Sequence, residues 1–241
     1  MRIIADYHTH TTFSHGKGSI EDNVKVAVEK GLKTIAISDH GPGHATYGIK
    51  KQSYKEMRRE VDRLNQVYDI EILLGLEANF MSVDGAIDID DEILKLADII
   101  LCGYHFGSKP KNYLDIKMHV FAFMSRFSKT IYERSKVINT KMIINAMNRY
   151  DLTAITHPGA KGPIDVTAVA KLAAEKNVAL EVNVKHGHLS VDEIKEALKT
   201  QVKFVVGSDA HDPRSVGEFD AALDRCIEAG IPVDRIMNAE V

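Results

Sequence analysis

The chain has 241 residues, of which 44% are hydrophobic and 27% charged, and its formal net charge is −3. This composition is typical of a globular protein, and the mild charge argues against a long nucleic acid or a charged membrane surface as partner. Neither a membrane-spanning stretch nor a secretory signal is recognisable, and the two cysteines, Cys102 and Cys226, are consistent with reduced thiols. We therefore predict a cytoplasmic protein.

Seven short apolar runs follow one another along the chain and are predicted to be β-strands. They cover residues 3–7, 34–38, 70–76, 99–104, 152–156, 179–184 and 203–208. The runs show little internal alternation of polar and apolar residues, which indicates strands that are covered on both faces. Helix-like stretches separate most of them, and this rhythm predicts a parallel α/β architecture.

The stretches between the strands carry recognisable helix signals. Ser19 is a candidate N-cap for a helix with one apolar face, which Gly31 would close. The apolar positions of that face are Ile20, Val24, Ala27 and Val28. Further helices are predicted over residues 52–68, 88–97, 165–176, 191–200 and 216–230. No linker or internal repeat interrupts the pattern, so we predict one domain over residues 1–241.

One spacer is longer than the others, because residues 113–150 hold two helix-like pieces between consecutive strands. The first piece is rich in large apolar side chains, namely Met118, Phe121, Phe123, Met124 and Phe127. Two interpretations are open. These side chains pack an extra helix into the core, or the segment forms a lid that contacts the substrate.

The chain holds nine potential metal ligands, most of which lie at or just after the ends of the predicted strands. In chain order they are His8, His10, His15, His40, Glu77, His105, His157, Asp209 and His211. In parallel β/α barrels the reactive groups gather at the carboxyl ends of the strands, so six of the seven strands would bring a ligand to one rim. The sixth strand ends near Asn183 and has no obvious ligand.

Imidazole and carboxylate groups bind Zn²⁺, Mn²⁺ and Fe²⁺. His8 and His10 are two residues apart on a strand, so their side chains point to the same side. Asp209 and His211 repeat this spacing near the other end of the chain. Because four or five ligands fill one coordination sphere, nine predict a cluster of two or three ions.

The motifs that carry these residues resemble the PHP family, the polymerase-and-histidinol-phosphatase metallohydrolases. The matching segments are His-Thr-His at 8–10, Ser-Asp-His at 38–40, Gly-Leu-Glu at 75–77, Gly-Tyr-His at 103–105, Thr-His-Pro-Gly at 156–159 and Ser-Asp-Ala-His at 208–211. The likeness is greatest to the small stand-alone phosphatases of this family. It implies a distorted (β/α)₇ TIM-like barrel, in agreement with the seven apolar runs.

The resemblance also implies a site with three divalent metal ions, Zn, Mn or Fe. His8, His10, Glu77 and Asp209 would hold one ion. Glu77, His105 and His157 would hold a second, with Glu77 bridging, and His15, His40 and His211 would hold the third. The expected activity is hydrolysis of a small phosphate monoester, as in a histidinol phosphatase, by a hydroxide that bridges the metals.

Three further residues are predicted to assist catalysis. Asp39 either orients an imidazole or protonates the leaving group, and we favour the first role. Lys161 and Arg214 follow two of the motifs and are candidates to hold phosphate. Weaker candidates for contact with substrate or a ligand are Lys17, Lys185, His44, His186, His188 and Asn183, whereas His119 is predicted to be a packing or surface residue.

Two other functions stay open on the sequence alone. A phosphodiesterase or exonuclease acting on nucleotides or short oligonucleotides needs only a compact metal pocket, without a basic track. A non-catalytic interaction module stabilised by metal is the other, although a structural site is usually one closed sphere rather than a cluster. The oligomeric state and the physiological substrate are not predicted.

Overall fold

Seven parallel strands form the centre of the computed structural model, which describes residues 1–240. They are hydrogen-bonded in the order of the chain, so each strand lies beside its neighbour in sequence. The strands are β2 (Ala5–Thr9), β3 (Thr34–Ile37), β4 (Glu71–Asn79), β5 (Ile99–Gly103), β6 (Ala154–Ile155), β7 (Ala179–Asn183) and β8 (Phe204–Gly207). All seven predicted runs are confirmed as strands.

The first and last strands of this sheet meet and nearly close it into a barrel. Thr9 and Ala210 form an isolated parallel bridge, and the His10 amide donates to the Ala210 carbonyl over 2.8 Å. Outside the barrel, β1 (Arg2–Ile3) pairs antiparallel with β9 (Ala239–Glu240) and ties the two ends of the chain together. The predicted distorted (β/α)₇ barrel is thereby confirmed.

Helices follow most of the barrel strands and cover the outside. They are α1 (Ile20–Glu29), α2 (Lys51–Leu64), α3 (Asp91–Leu94), α4 (Tyr113–Met124), α5 (Lys129–Arg149), α6 (Val166–Lys176), α7 (Val191–Leu198) and α8 (Asp220–Ala229). Among the described residues, none of these helices is both long and apolar enough to cross a membrane.

Two of the helix predictions differ in detail from the structure. Ser19 caps α1 as predicted, with a reciprocal capping box to Asp22, but Val28 is 41% exposed and does not belong to the buried face. Helix α3 is much shorter than residues 88–97, because Asp88 accepts hydrogen bonds from Asn79 and Gly43 instead of entering a helix.

The apolar core has two parts. The larger cluster lies between the sheet and the helices, and a small one fills the bottom of the barrel with Leu101, Ala154, Ala179 and Val205. Successive residues on one face of a strand are two apart, so Glu181 follows Ala179 on the inner face of β7. The barrel interior therefore changes from apolar at the bottom to ionisable at the carboxyl ends of the strands.

The two predicted helices in residues 113–150 are confirmed as α4 and α5. Met118 and Ala122 of α4 are buried, but Phe123 and Phe127 are 53% and 72% exposed. Only one face of α4 therefore packs into the core, and several of its large apolar side chains are exposed. The main cavity described below is lined by residues outside this segment.

Candidate metal centre

The nine predicted ligands converge at the carboxyl end of the barrel. Seven of them line a cavity of about 590 Å³, while His8 and His10 lie beneath it and are each 1% exposed. The chain distances are large: Glu77 and His157 are 80 residues apart, yet their nearest side-chain atoms are 3.0 Å apart. The fold thus assembles one site from residues along almost the entire sequence.

One oxygen of Glu77 faces the first group of ligands. Glu77 Oε2 lies 3.3 Å from His8 Nε2 and 3.6 Å from His10 Nε2. Asp209 Oδ1 lies 3.3 Å from His10 Nε2 and 3.7 Å from His8 Nε2. Two ligands at about 2.1 Å from a tetrahedral ion are roughly 3.4 Å apart, so these spacings suit a shared cation.

The other oxygen of Glu77 faces a second group. Glu77 Oε1 lies 3.3 Å from His105 Nε2 and 3.0 Å from His157 Nε2, and these two nitrogens are 3.2 Å apart. Thr156 donates its hydroxyl to the same oxygen over 2.7 Å and holds the carboxylate in place. Each oxygen of Glu77 therefore faces its own group of predicted ligands.

A third group of imidazoles lies beside the first. His10, His40 and His211 have ring nitrogens within 4.8 Å of one another. The ring of His15 lies over this group, with centroids 4.9 Å from His40 and 4.1 Å from His211. The structure thus brings together the predicted trio of His15, His40 and His211, with His10 close to it as well.

Several polar atoms of the site are buried and form no hydrogen bond of good geometry, although some lie close together, as His40 Nδ1 does at 2.9 Å from Glu77 Oε2. These buried atoms are His8 Nε2, both ring nitrogens of His10, His15 Nδ1, His40 Nδ1 and Glu77 Oε2. An unsatisfied buried polar atom costs about 1–3 kcal/mol. A cluster of such atoms at one point is therefore unusual unless a bound ligand satisfies them. The donor set of imidazoles and carboxylates, and its spacing, fits divalent cations.

Hydrogen bonds to the far side of two imidazoles leave the near nitrogen facing the site. His8 Nδ1 lies 2.7 Å from Glu181 Oε1, and His105 Nδ1 lies 2.8 Å from Asn79 Oδ1. Since both partners are acceptors, Nδ1 carries a proton and Nε2 is the nitrogen that remains to bind a metal. This arrangement is typical of metal-binding histidines.

Two predicted ligands have a strained backbone. His157 and Asp209 adopt positive φ values of 29° and 54°, which non-glycine residues rarely do. Such strain costs about 1–3 kcal/mol and persists only where surrounding contacts hold it. At His157 one such contact is the 2.7 Å hydrogen bond from its amide to Glu181 Oε2.

The electrostatics favour metal binding near neutral pH. Burial opposes ionisation of Glu77, but the imidazoles of His105, His8 and His40 outweigh it and hold the pKa of Glu77 well below its ordinary value. Burial lowers the pKa of both His105 and His211 to about 4. The carboxylate is therefore ionised and these two imidazoles are neutral, as metal coordination requires.

These low values predict how the protein responds to acid. A proton competes with a metal for an imidazole only below the pKa of that imidazole, which for His105 and His211 is about 4 instead of the usual 6.5. His8 behaves differently: burial opposes its protonation, but the carboxylates of Glu181, Glu77 and Asp209 outweigh it and hold the pKa of His8 well above its ordinary value. We therefore expect metal held by the His105 and His211 groups, measured after desalting at each pH, to be retained down to about pH 5. Complete loss of metal already at pH 6.5 would contradict this.

The predicted helper residues lie in different surroundings. Lys161 lines the cavity, as does Lys185, whose Nζ is 2.8 Å from His211 Nδ1. Arg214 lies on an exposed turn, where it forms two hydrogen bonds to the Asp212 carboxylate. Asp39 is buried and accepts from the amide and hydroxyl of Thr11 and from the hydroxyl of Ser14, so it holds the loop that carries His15.

Of the weaker candidates for contact with substrate or a ligand, some lie at the cavity and others lie away from it. His44 and His186 line the cavity, and His186 Nε2 lies 3.4 Å from Asp209 Oδ2. Asn183 donates to Asp209 Oδ2 over 3.3 Å and so contacts a predicted ligand. Lys17 contacts Asp212 at the surface, His188 faces Glu193 outside the cavity, and His119 packs against Tyr104.

Sequence reasoning missed two residues that orient the ligands. Glu181 contacts His8 and His157, and Asn79, held in turn by Asp88, contacts His105. A signal was present, because Glu181 is a carboxylate inside the otherwise apolar run 179–182, and a charge there needs a buried partner.

Comparison with known proteins identifies the family of the chain. The model of the PHP domain family matches residues 6–185. The chain belongs to the PHP domain family. This PHP-domain protein is 34% identical to a protein of Shewanella halifaxensis and 32% identical to one of Tolumonas auensis, both named "Probable phosphatase"; the alignments cover 99% of this chain and 89% and 90% of theirs.

A solved structure shows the same fold at lower identity. It is the histidinol phosphate phosphatase of Lactococcus lactis, in a complex with zinc, L-histidinol and phosphate. The TM-score is 0.62 at 15% sequence identity, over 96% of this chain and 95% of the other. At this identity the likeness concerns the fold.

Proposed function

We propose that this PHP-domain protein is a metal-dependent phosphatase that hydrolyses a small phosphate monoester at a site for three divalent cations. The observation that carries the proposal is the position of Glu77, whose two oxygens face two separate groups of imidazoles. A carboxylate between two such groups is suited to a multinuclear centre, whereas a structural ion usually has one closed sphere.

The relatives support the reaction class. Two are named probable phosphatases, and the Lactococcus lactis protein of the same fold binds zinc, L-histidinol and phosphate. Divalent cations held by the nine ligands would neutralise charge on the phosphoryl oxygens and make a bound water acidic. The native metal could be zinc, manganese or iron, since all three accept this ligand set.

The residues of the chain supply the remaining requirements. The cavity opens on one side to solvent and on the other to the buried ligands, so a phosphate group can reach them while its leaving group stays at the mouth. Lys161 and Lys185 on the wall add positive charge where phosphate would enter. Asp39 holds the loop of His15 through Thr11 and Ser14, which makes it a positioning residue in this proposal.

A panel of phosphate esters tests the proposal. We expect phosphate release from histidinol phosphate and p-nitrophenyl phosphate with Zn²⁺ or Mn²⁺ present, and little cleavage of bis-p-nitrophenyl phosphate or a short oligonucleotide. Diester cleavage faster than that of every monoester would favour a phosphodiesterase or nuclease. Inactivity on the whole panel, with metal bound, would favour a non-catalytic module.

The two lysines that line the cavity, Lys161 and Lys185, give a separate prediction. Replacing Lys161 or Lys185 with Met should raise KM for a monoester roughly tenfold each, because one charge contact to phosphate is worth about 1.5 kcal/mol. The measurement is steady-state kinetics, with Lys95→Met on an exposed helix end as control. Arg214→Met in the same series tests whether Arg214 contacts the phosphate of the substrate. An unchanged KM in both lysine variants would contradict the role of Lys161 and Lys185 in phosphate binding.

A further inference from the structure

We propose that Glu181 is a positioning residue of the metal centre, which sets both the tautomer of His8 and the strained backbone of His157. The nine ligands of the proposed function do not include it, and its two oxygens already face His8 Nδ1, the His157 amide and Asn183 Nδ2. It is a single carboxylate that contacts one member of each of two ligand groups.

The first contact controls the chemical form of His8. Glu181 Oε1 lies 2.7 Å from His8 Nδ1, and both side chains are almost fully buried. A carboxylate is only an acceptor when ionised, so Nδ1 carries a proton and Nε2 is the nitrogen that remains to bind a cation. His8 Nε2 is the atom that faces Glu77 and Asp209. Without Glu181, the imidazole could take the other tautomer, in which Nε2 cannot bind a cation.

The second contact controls the position of His157. Glu181 Oε2 accepts from the His157 amide over 2.7 Å and from Asn183 Nδ2 over 3.0 Å. His157 has a φ of 29°, and a hydrogen bond to a charged acceptor is among the stronger ones, so this contact opposes the backbone strain. The same carboxylate therefore helps to hold the backbone from which His157 Nε2 reaches Glu77 Oε1.

The neighbouring strand leaves room for this side chain. A Cβ atom added at Gly207 of β8 would lie 2.0 Å from Glu181 Oε1, so only glycine fits there without displacing the carboxylate. Glu181 is thus confined between β7, β8 and His8, with three donors around its two oxygens. This preorganisation is what a metal-binding histidine needs from the group behind it.

Glutamine at position 181 cannot reproduce both contacts. If its amide NH₂ faces His8, it forces Nδ1 to accept and places the proton on Nε2. If the NH₂ faces His157, two donors oppose each other. Glu181→Gln should therefore fold yet bind metal at the His8 group about 10–100-fold more weakly, the range found when such supporting groups are removed.

The experiment measures metal affinity in the resting protein, so its outcome does not depend on whether the protein is a phosphatase. Zn²⁺ is titrated against a fluorescent chelator for the wild type, Glu181→Gln and the matched control Glu71→Gln. Glu71 is on β4 at the opposite end of the barrel, where its carboxylate accepts from the Thr34 hydroxyl. Imidazole ¹⁵N NMR reports the tautomer of His8 in the same samples.

A double-mutant cycle separates positioning from general stability. In the His8→Ala background, Glu181→Gln should lower the affinity much less than in the wild type, because part of its effect acts through His8. Glu181→Asp, which keeps the charge on a shorter side chain, serves if the glutamine variant does not fold. Wild-type affinity and an unchanged His8 tautomer in Glu181→Gln, or equal losses with and without His8, would overturn the proposal.

Discussion

Replacing Glu77 with glutamine should abolish most of the phosphatase activity, with a fall in kcat/KM on the order of 10³-fold or more. The reason is that Oε1 and Oε2 face different imidazole groups, so one substitution disturbs two cation positions at once. An amide offers one oxygen in place of two and no charge. The measurement is hydrolysis of the best monoester found in the panel, together with metal content by mass spectrometry.

Glu71→Gln is the matched control for this variant, since it makes the same change on the same strand at the opposite end of the barrel. We expect it to keep wild-type activity and metal content. The metal content of Glu77→Gln should fall by at least one ion per chain while its circular dichroism stays unchanged. Full metal content with full activity would show that Glu77 does not bridge.

Removal of the metals should have the second largest effect. Dialysis against a strong chelator should abolish turnover, and adding Zn²⁺ or Mn²⁺ should restore it. The fold should persist, because the large apolar cluster between sheet and helices does not include the ligands. Ligand linkage contributes about 4 kcal/mol per ion at a thousandfold excess over Kd, so the unfolding temperature should drop by roughly 10 °C for each ion lost.

The control for this experiment is the same chelator treatment of Asp209→Ala, a variant that lacks one predicted ligand from the start. Its folded metal-free form should resemble that of the wild type, and readdition of metal should not restore activity. Collapse of the fold when metal is removed from the wild type would favour a structural role for the ions. Unchanged turnover after complete metal removal would contradict metal-dependent hydrolysis.

Much of the fold could be predicted from the sequence, because the pattern that marks a strand is local in the chain. Each strand is a short apolar run, and its boundaries could be predicted within a few residues; β2 at Ala5–Thr9 and β8 at Phe204–Gly207 are examples. The ligands follow from the same pattern, since parallel strands bring their carboxyl ends to one rim. His8, Glu77 and His157 could therefore be placed together before any distance was known.

Only the tertiary structure shows how the predicted ligands face one another. Which oxygen of Glu77 meets which imidazole depends on side-chain directions, and the contact of Glu181 with His8 joins residues 173 positions apart. Asp39 lies beside His40 in the sequence, yet its carboxylate holds Thr11 and Ser14. Such partners are set by the packing of distant strands, and no spacing along the chain encodes them.

The exposed side chains of α4 also could not be predicted from the sequence. Met118 and Phe123 are both large and apolar, but the first is fully buried and the second is 53% exposed. Composition reports how apolar a helix is, whereas the neighbours against which it packs decide which face is covered. For this protein the sequence predicted the elements and a candidate ligand set, and the nearly closed barrel decided their geometry, because hydrogen bonds and charges at the rim act between strands far apart in the chain.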